Sequence, residues 1–118
     1  DIITSAIFDI SYGDPDTIIN NINKIKKKRE EHQPIQEKTS GSTFKNPKNY
    51  FAAELIEKAG CKGMEIGDAI VSDKHSNFII NKGNASAQDI EQLGKKIIEK
   101  VFDKFSILLD WEIKLVGD

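Results

Sequence analysis

A single cysteine, one methionine, one tryptophan and three prolines in 118 residues close off several kinds of protein at once. Cys61 alone cannot make an internal disulfide framework and fits a reducing compartment, so a cytoplasmic location is expected. One Cys with His32 and His75 cannot complete a standard zinc site without carboxylates or outside ligands, and no metal is expected. No apolar run is long enough to cross a bilayer and no signal-peptide core is present, so no membrane partner is expected. An excess of one charge is lacking too: seventeen basic residues stand against nineteen acidic ones, mixed along the chain, for a formal charge of -2. A nucleic-acid binder needs a concentrated basic face, and this chain has none. Walker loop, dinucleotide fingerprint and nucleophile elbow are all missing. So is an initiator methionine. Asp1-Ile2-Ile3 opens directly in a strand-like pattern, as the tail of a larger protein would.

What is present fits one modest α+β domain. Residues 2–10 alternate, with Ile2, Ala6, Phe8 and Ile10 on one side, and predict a strand. Asp14 is a natural N-cap and Pro15 suits the first helical position. Ile18, Ile19, Ile22 and Ile25 then mark a helix to about Glu31, with Lys24 and Lys26–Arg29 at the end that favours cations. Residues 34–49 have no periodicity and read as a polar loop. Tyr50 to Ala59 returns to helical spacing, and Gly60 offers the left-handed position beyond it. Strands follow around Glu65–Val71 and Asn77–Ile80, separated by the turn Ser72–Ser76. Ser86 and Asp89 form a capping box before the strongest helix, Ala87 to about Lys104, marked by Ile90, Leu93, Ile97, Val101 and Phe105. Gly94 costs that helix roughly 1 kcal/mol unless close packing needs the bare backbone. Ile107 to Val116 reads as a last strand. About three helices on a small mixed or antiparallel sheet are therefore expected.

The chemistry concentrates in Gly41-Ser42-Thr43-Phe44-Lys45-Asn46-Pro47. A hydroxyl, an ammonium, an amide and several backbone N–H groups within seven residues suit an anionic, multi-oxygen ligand. Ser42 reads either as a turn residue or as a proton donor to a developing carbanion or enolate, a role that needs no triad. Lys45 and Asn46 either position phosphate, ribose or base groups, or are a solvated lysine and an Asx-turn before Pro47. Glu112 either faces water on a strand edge or, in a covered cleft, donates or orients a proton. Ser72-Asp73-Lys74-His75 reads as a polar turn and Cys61 as structural.

The loop, followed by Tyr50-Phe51-Ala52 and Leu55-Ile56, resembles the C-terminal substrate domain of the UDP-N-acetylenolpyruvoylglucosamine reductase family, flavoenzymes of peptidoglycan precursor synthesis. The likeness continues collinearly through Ala59-Gly60, Lys62-Gly63, Val71-Ser72, Lys74-His75, Asn77-Phe78-Ile79 and Asn81–Ala85 to Glu112–Gly117. It implies an NADPH- and FAD-dependent reduction of UDP-N-acetylglucosamine enolpyruvate to UDP-N-acetylmuramate. Ser42 would then protonate the intermediate and Glu112 assist, Asn46 would bind substrate, and Lys45 is the physical candidate for a nearby anionic group. The family's two-part FAD-binding region is absent, so residues 1–11 are expected to be its remnant strand and residues 12–118 the substrate domain. The chain alone is then expected to be inactive and to hold no cofactor. Trp111 stands where many relatives have proline, and the chain follows the shorter-loop form of the family. Two other readings remain: a non-catalytic nucleotide-sugar binding module and an inert α+β domain.

Overall fold

The computed structural model describes residues 2–117. Its contacts divide the chain into two compact units, one up to Glu31 and one from His32 onward.

In the first unit, α1 (Pro15–His32) starts where local chemistry directs it. Asp14 Oδ2 accepts from the Thr17 backbone N–H at 2.9 Å and from the Thr17 hydroxyl at 2.8 Å, capping the helix. Those two bonds favour the ionised form and hold the Asp14 carboxyl below its ordinary range. The isoleucine stripe is real in spacing but uncovered. Ile18, Ile19, Ile22 and Ile25 are all exposed, and α1 buries no residue. The strand expected over residues 2–10 does not form. A strand needs a neighbour for its ladder groups, and the sheet of the described residues takes none of its four strands from this segment.

The second unit is an antiparallel sheet with two helices. Strands β1 (Thr39–Ser42), β2 (Glu65–Ile66), β3 (Ala69–Val71) and β4 (Phe78–Asn81) lie in the order β1-β4-β3-β2. Two of them correct the sequence reading. The segment expected as one strand from Glu65 to Val71 is a hairpin, with Glu65 opposite Ile70 and Ile66 opposite Ala69. Gly67 opens its two-residue turn at φ 53°, a conformation that suits glycine. The polar loop, in turn, contains β1. Its sequence Thr-Ser-Gly-Ser carries no strand signal; pairing with β4 makes it a strand.

Helix α2 (Ala52–Lys58) buries Ala52, Leu55 and Ile56. It ends in a Schellman closure: Cys61 N–H donates to Ile56 C=O at 3.1 Å and Gly60 N–H to Glu57 C=O at 2.9 Å, with Gly60 at φ 73°. Helix α3 (Ala87–Phe105) begins with the expected capping box and packs against α2, β2 and β3. Phe44, Ile56, Val71, Leu93, Ile97 and Val101 are fully buried between these elements, each stabilising the unit by about 1.5–3 kcal/mol. Cys61 is buried with them, and burial pushes its thiol pKa up, the environment of an inert thiol.

The last expected strand, Ile107–Val116, is reduced to one bridge, Trp111 opposite Phe44. Its apolar residues are used for packing instead: Leu109 is buried, and Ile107 and Trp111 lie against the core. Trp111 also explains Gly94. A Cβ there would sit 2.7 Å from Cζ3 and 3.0 Å from Cζ2 of the indole, so the bare helix backbone is the seat of the ring.

Candidate functional site

The site is built where β1 leaves the sheet. Thr39 pairs with Ile80 and Ser42 with Phe78, so β1 carries one more residue than β4 over the same span. Gly41 sits in this bulge at φ 89°, where a side chain would be strained though not crowded. A bulge bends its strand and re-aims the side chains beside it. Here that residue is Ser42.

Beyond the bulge the chain is pinned from two directions. Asn77, almost fully buried, accepts from Phe44 N–H at 3.0 Å and donates to Phe44 C=O at 2.8 Å. Its own backbone C=O accepts from Thr43 N–H at 2.8 Å. On the other side, Thr43 C=O accepts from Glu112 N–H and Asp110 C=O from Lys45 N–H, both at 2.9 Å. These two bonds carry Glu112 to the strand that carries Ser42. Trp111, between them, makes neither bond, so a proline in its place forfeits nothing from this pairing. Asn46 is held as well. Its Oδ1 accepts from Ala52 N–H at 2.9 Å, capping α2 from outside the helix.

Ser42, Lys45, Asn46 and Glu112 thus line one cleft of about 330 Å³, with Phe44, Phe51 and Ala53 as its apolar lining and His75 and Asn77 completing it. The four residues singled out from the sequence share a single opening. The hydroxyl and the carboxyl, separated by seventy positions in the chain, are brought together by the Thr43–Lys45 and Asp110–Glu112 pairing. Asn46 is more than a free ligand group, because its oxygen already serves α2.

Two lining residues escaped the sequence reading. His75 was expected only as part of a turn. Ser72 Oγ does hold that turn, accepting from the N–H groups of Lys74 at 3.1 Å and His75 at 3.2 Å. The His75 ring, edge-on to Phe78 at 4.6 Å, nevertheless reaches the cleft. Its Nδ1 accepts from Asn77 N–H at 3.3 Å. Burial lowers its pKa, so at neutral pH it is an uncharged imidazole whose available donor is Nε2–H. Asn77 was expected only as the start of a strand. A polar amide directly before the apolar run Phe78-Ile79-Ile80 was the available hint. The charged groups of the cleft are then one ammonium and one carboxylate, among hydroxyl, amide and imidazole donors. Such a wall can accept an anion with several oxygens and place a proton source beside it.

Among the described residues no group of three or more His, Cys, Asp and Glu side chains is placed to hold a metal, and no helix is long and apolar enough to cross a membrane. The fully covered hydroxyl of Thr43 finds no hydrogen-bond partner among the described residues.

Residues 33–116 match the family model described as UDP-N-acetylenolpyruvoylglucosamine reductase, C-terminal domain. The chain is 46% identical over 116 residues to the UDP-N-acetylenolpyruvoylglucosamine reductase of Rickettsia bellii (strain RML369-C), covering 98% of this chain and 38% of that protein. It is 50% identical over 116 residues to the enzyme of the same name from Rhodopseudomonas palustris (strain HaA2), again covering 98% and 38%. Among solved structures, it is similar to the crystal structure of UDP-N-acetylenolpyruvylglucosamine reductase from Thermus caldophilus. That likeness has a TM-score of 0.66 at 35% identity and covers 82% of this chain and 34% of the other. The chain therefore spans little more than a third of the length of these relatives.

Proposed function

As the chain belongs to the UDP-N-acetylenolpyruvoylglucosamine reductase family through its C-terminal domain, we propose that it forms the substrate-protonating half of such an enzyme's active site. The substrate would be UDP-N-acetylglucosamine enolpyruvate and the product UDP-N-acetylmuramate, a peptidoglycan precursor made in the cytoplasm. The observation that carries this reading is the single cleft shared by Ser42, Lys45, Asn46 and Glu112.

Reduction of an enolpyruvyl ether adds a hydride to the terminal alkene carbon and a proton to the carbon bearing the carboxylate. The second event suits these residues. Charge developing beside a carboxylate needs donors already aimed at it, and a serine hydroxyl held within reach can quench so basic a carbon. Ser42 Oγ–H supplies the proton and is afterwards reprotonated from solvent or a neighbour. Glu112 assists. Two carboxyl groups in one site favour keeping one proton between them, which supports delivery to the same intermediate. Lys45 and the donor side of Asn46 hold phosphate oxygens of the nucleotide, and the uncharged His75 adds a further donor.

The residues of this chain do not fit a flavin dinucleotide. Each of the three helix N-termini is closed by a side chain of the chain itself, Asp14 for α1, Asn46 for α2 and Ser86 for α3. No glycine-rich diphosphate loop precedes any of them. FAD and NADPH are assigned instead to the length of the relatives that this chain does not span, and residues 1–11 to that preceding region. The chain alone is expected not to turn over.

The test joins the chain to the FAD-binding region and separates the half-reactions. Ser42→Ala should leave NADPH-to-FAD reduction intact and lose most product formation with the enolpyruvyl substrate. Full turnover in that variant removes Ser42 from the mechanism. Substrate binding without turnover in the unaltered protein favours the non-catalytic binding module.

A further inference from the structure

We propose that Trp111 is the positioning residue of this cleft: seated on the bare backbone of Gly94 and against Phe44, it sets how closely Glu112 approaches the Ser42–Lys45 segment. This rests on the protonation role proposed above.

Among the described residues, no side-chain hydrogen bond or ion pair anchors Glu112 to the core. Its position follows from the backbone of residues 110–112, joined to the Ser42 side of the cleft, among the described residues, by two backbone hydrogen bonds. Beyond that bridge, residues 112–117 belong to no helix or strand. Leu109 is buried just before the bridge, but none of residues 112–117 is, so the two bonds fix the register and leave this end room to hinge. The indole removes that freedom. On one side it lies in the notch that Gly94 leaves in α3, where not even a methyl group would fit. On the other its ring centroid is 4.9 Å from that of Phe44, tilted by 38°, within the range of a favourable aromatic pair. Phe44 in turn is clamped at both backbone groups by Asn77. The chain of contacts runs from α3 through Gly94, Trp111 and Phe44 to the segment that carries Ser42 and Lys45.

The notch has a cost that packing offsets. Glycine within α3 weakens a helix, and the space it opens is filled by the residue next to Glu112. A spacer of this kind makes a distinct forecast: overfilling the notch and underfilling the spacer should each impair protonation, and together they should compensate. Displacements near 1 Å at a reacting group can lower rate by up to about 100-fold.

The experiment uses the chain joined to the rest of the reductase, with the enolpyruvyl substrate. Gly94→Ala and Trp111→Leu should each lower kcat by about 10- to 100-fold, with KM within about threefold because the groups proposed to hold the nucleotide, Lys45 and Asn46, keep their places. The solvent deuterium isotope effect on kcat should rise in both as proton delivery becomes limiting. The double variant, in which the added methyl takes up part of the lost ring volume, should recover most of kcat. Should either single variant fail to fold, the other and the double still carry the comparison. Unchanged kcat in the single variants overturns the proposal, as does a double variant no better than the worse single one, or an equal loss in kcat and KM with no isotope effect. Ser42→Ala, run alongside, separates the two levels. If it retains full turnover, the protonation role itself fails; if it loses turnover while the Gly94 and Trp111 variants do not, only the spacer does.

Discussion

Replacing Asn77 tests most directly whether the cleft is held open by the pinning of Phe44. The amide is 4% exposed and makes both of its bonds to one backbone, accepting at 3.0 Å and donating at 2.8 Å across a sequence separation of 33. Phe44 itself is 1% exposed, so its N–H and C=O have no solvent to turn to. Asn77→Ala leaves both unpaired, and at about 1–3 kcal/mol for each buried unsatisfied group the cost is about 2–6 kcal/mol. In a domain of this size that lowers Tm by at least about 8 °C. Asn77→Asp is the sharper variant. An ionised carboxylate still accepts from Phe44 N–H but faces Phe44 C=O with nothing to donate. Burial and that repulsion raise the folded-state pKa above the unfolded one. A raised pKa contributes stability that is fully present below the unfolded pKa and lost as pH rises through the folded value. Asn77→Asp should therefore be less stable than the unaltered protein at neutral pH and recover as the solution is acidified, opposite to ordinary acid unfolding. Urea unfolding followed by far-UV circular dichroism at neutral and mildly acidic pH measures this, with m held constant. A midpoint that Asn77→Ala leaves unmoved, or an Asp variant whose deficit does not shrink on acidification, would refute the pinning.

Three further outcomes follow from single contacts. Thr43→Val removes the buried hydroxyl that has no partner among the described residues and should stabilise by about 1 kcal/mol, read as a raised urea midpoint; a loss would mean that the hydroxyl is satisfied. Gly41→Ala forces a side chain onto φ 89° where space is open, so the cost should be conformational, about 1–2 kcal/mol, and Gly41→Asn should cost less. Asp89 Oδ2 accepts from Ser86 N–H at 2.8 Å, and that bond, then hydrogen bonding from the Ser86 side chain, holds the carboxyl below its ordinary 3.8. Its contribution is present above the unfolded value and fades as pH falls through the lower folded one, so Asp89→Asn should flatten the acid side of the stability profile, and an unchanged profile would count against the box.

The helices were legible because their signals are local. Asp14-Pro15, Gly60 and the Ser86–Asp89 box each act within one turn of chain, and the 3.6-residue stripe of α3 is the set it buries. The strands were less so, for reasons that lie outside each segment. Residues 2–10 alternate like a strand yet pair with no strand of the described residues, whereas Thr39–Ser42, in which only Thr39 favours a strand, is made one by β4. Ile107–Val116 spends its apolar residues on packing rather than on a ladder. The site divides in the same way. Ser42, Lys45 and Asn46 sit in one motif, and Glu112 stands out as a carboxyl in an apolar segment, its role implied by the family resemblance. His75 and Asn77 come from a turn some thirty residues further on, which only the sheet folds back beside Phe44.

Everything proposed for this chain requires that an anionic nucleotide-sugar enter the cleft bounded by Ser42 and Glu112. Amide chemical-shift mapping of the chain with UDP-N-acetylglucosamine tests that requirement most directly. The largest shifts should fall on Ser42–Asn46, His75 and Glu112. No response at millimolar ligand, or shifts centred on the α3 groove lined by Lys96, Glu99 and Lys100, would contradict it.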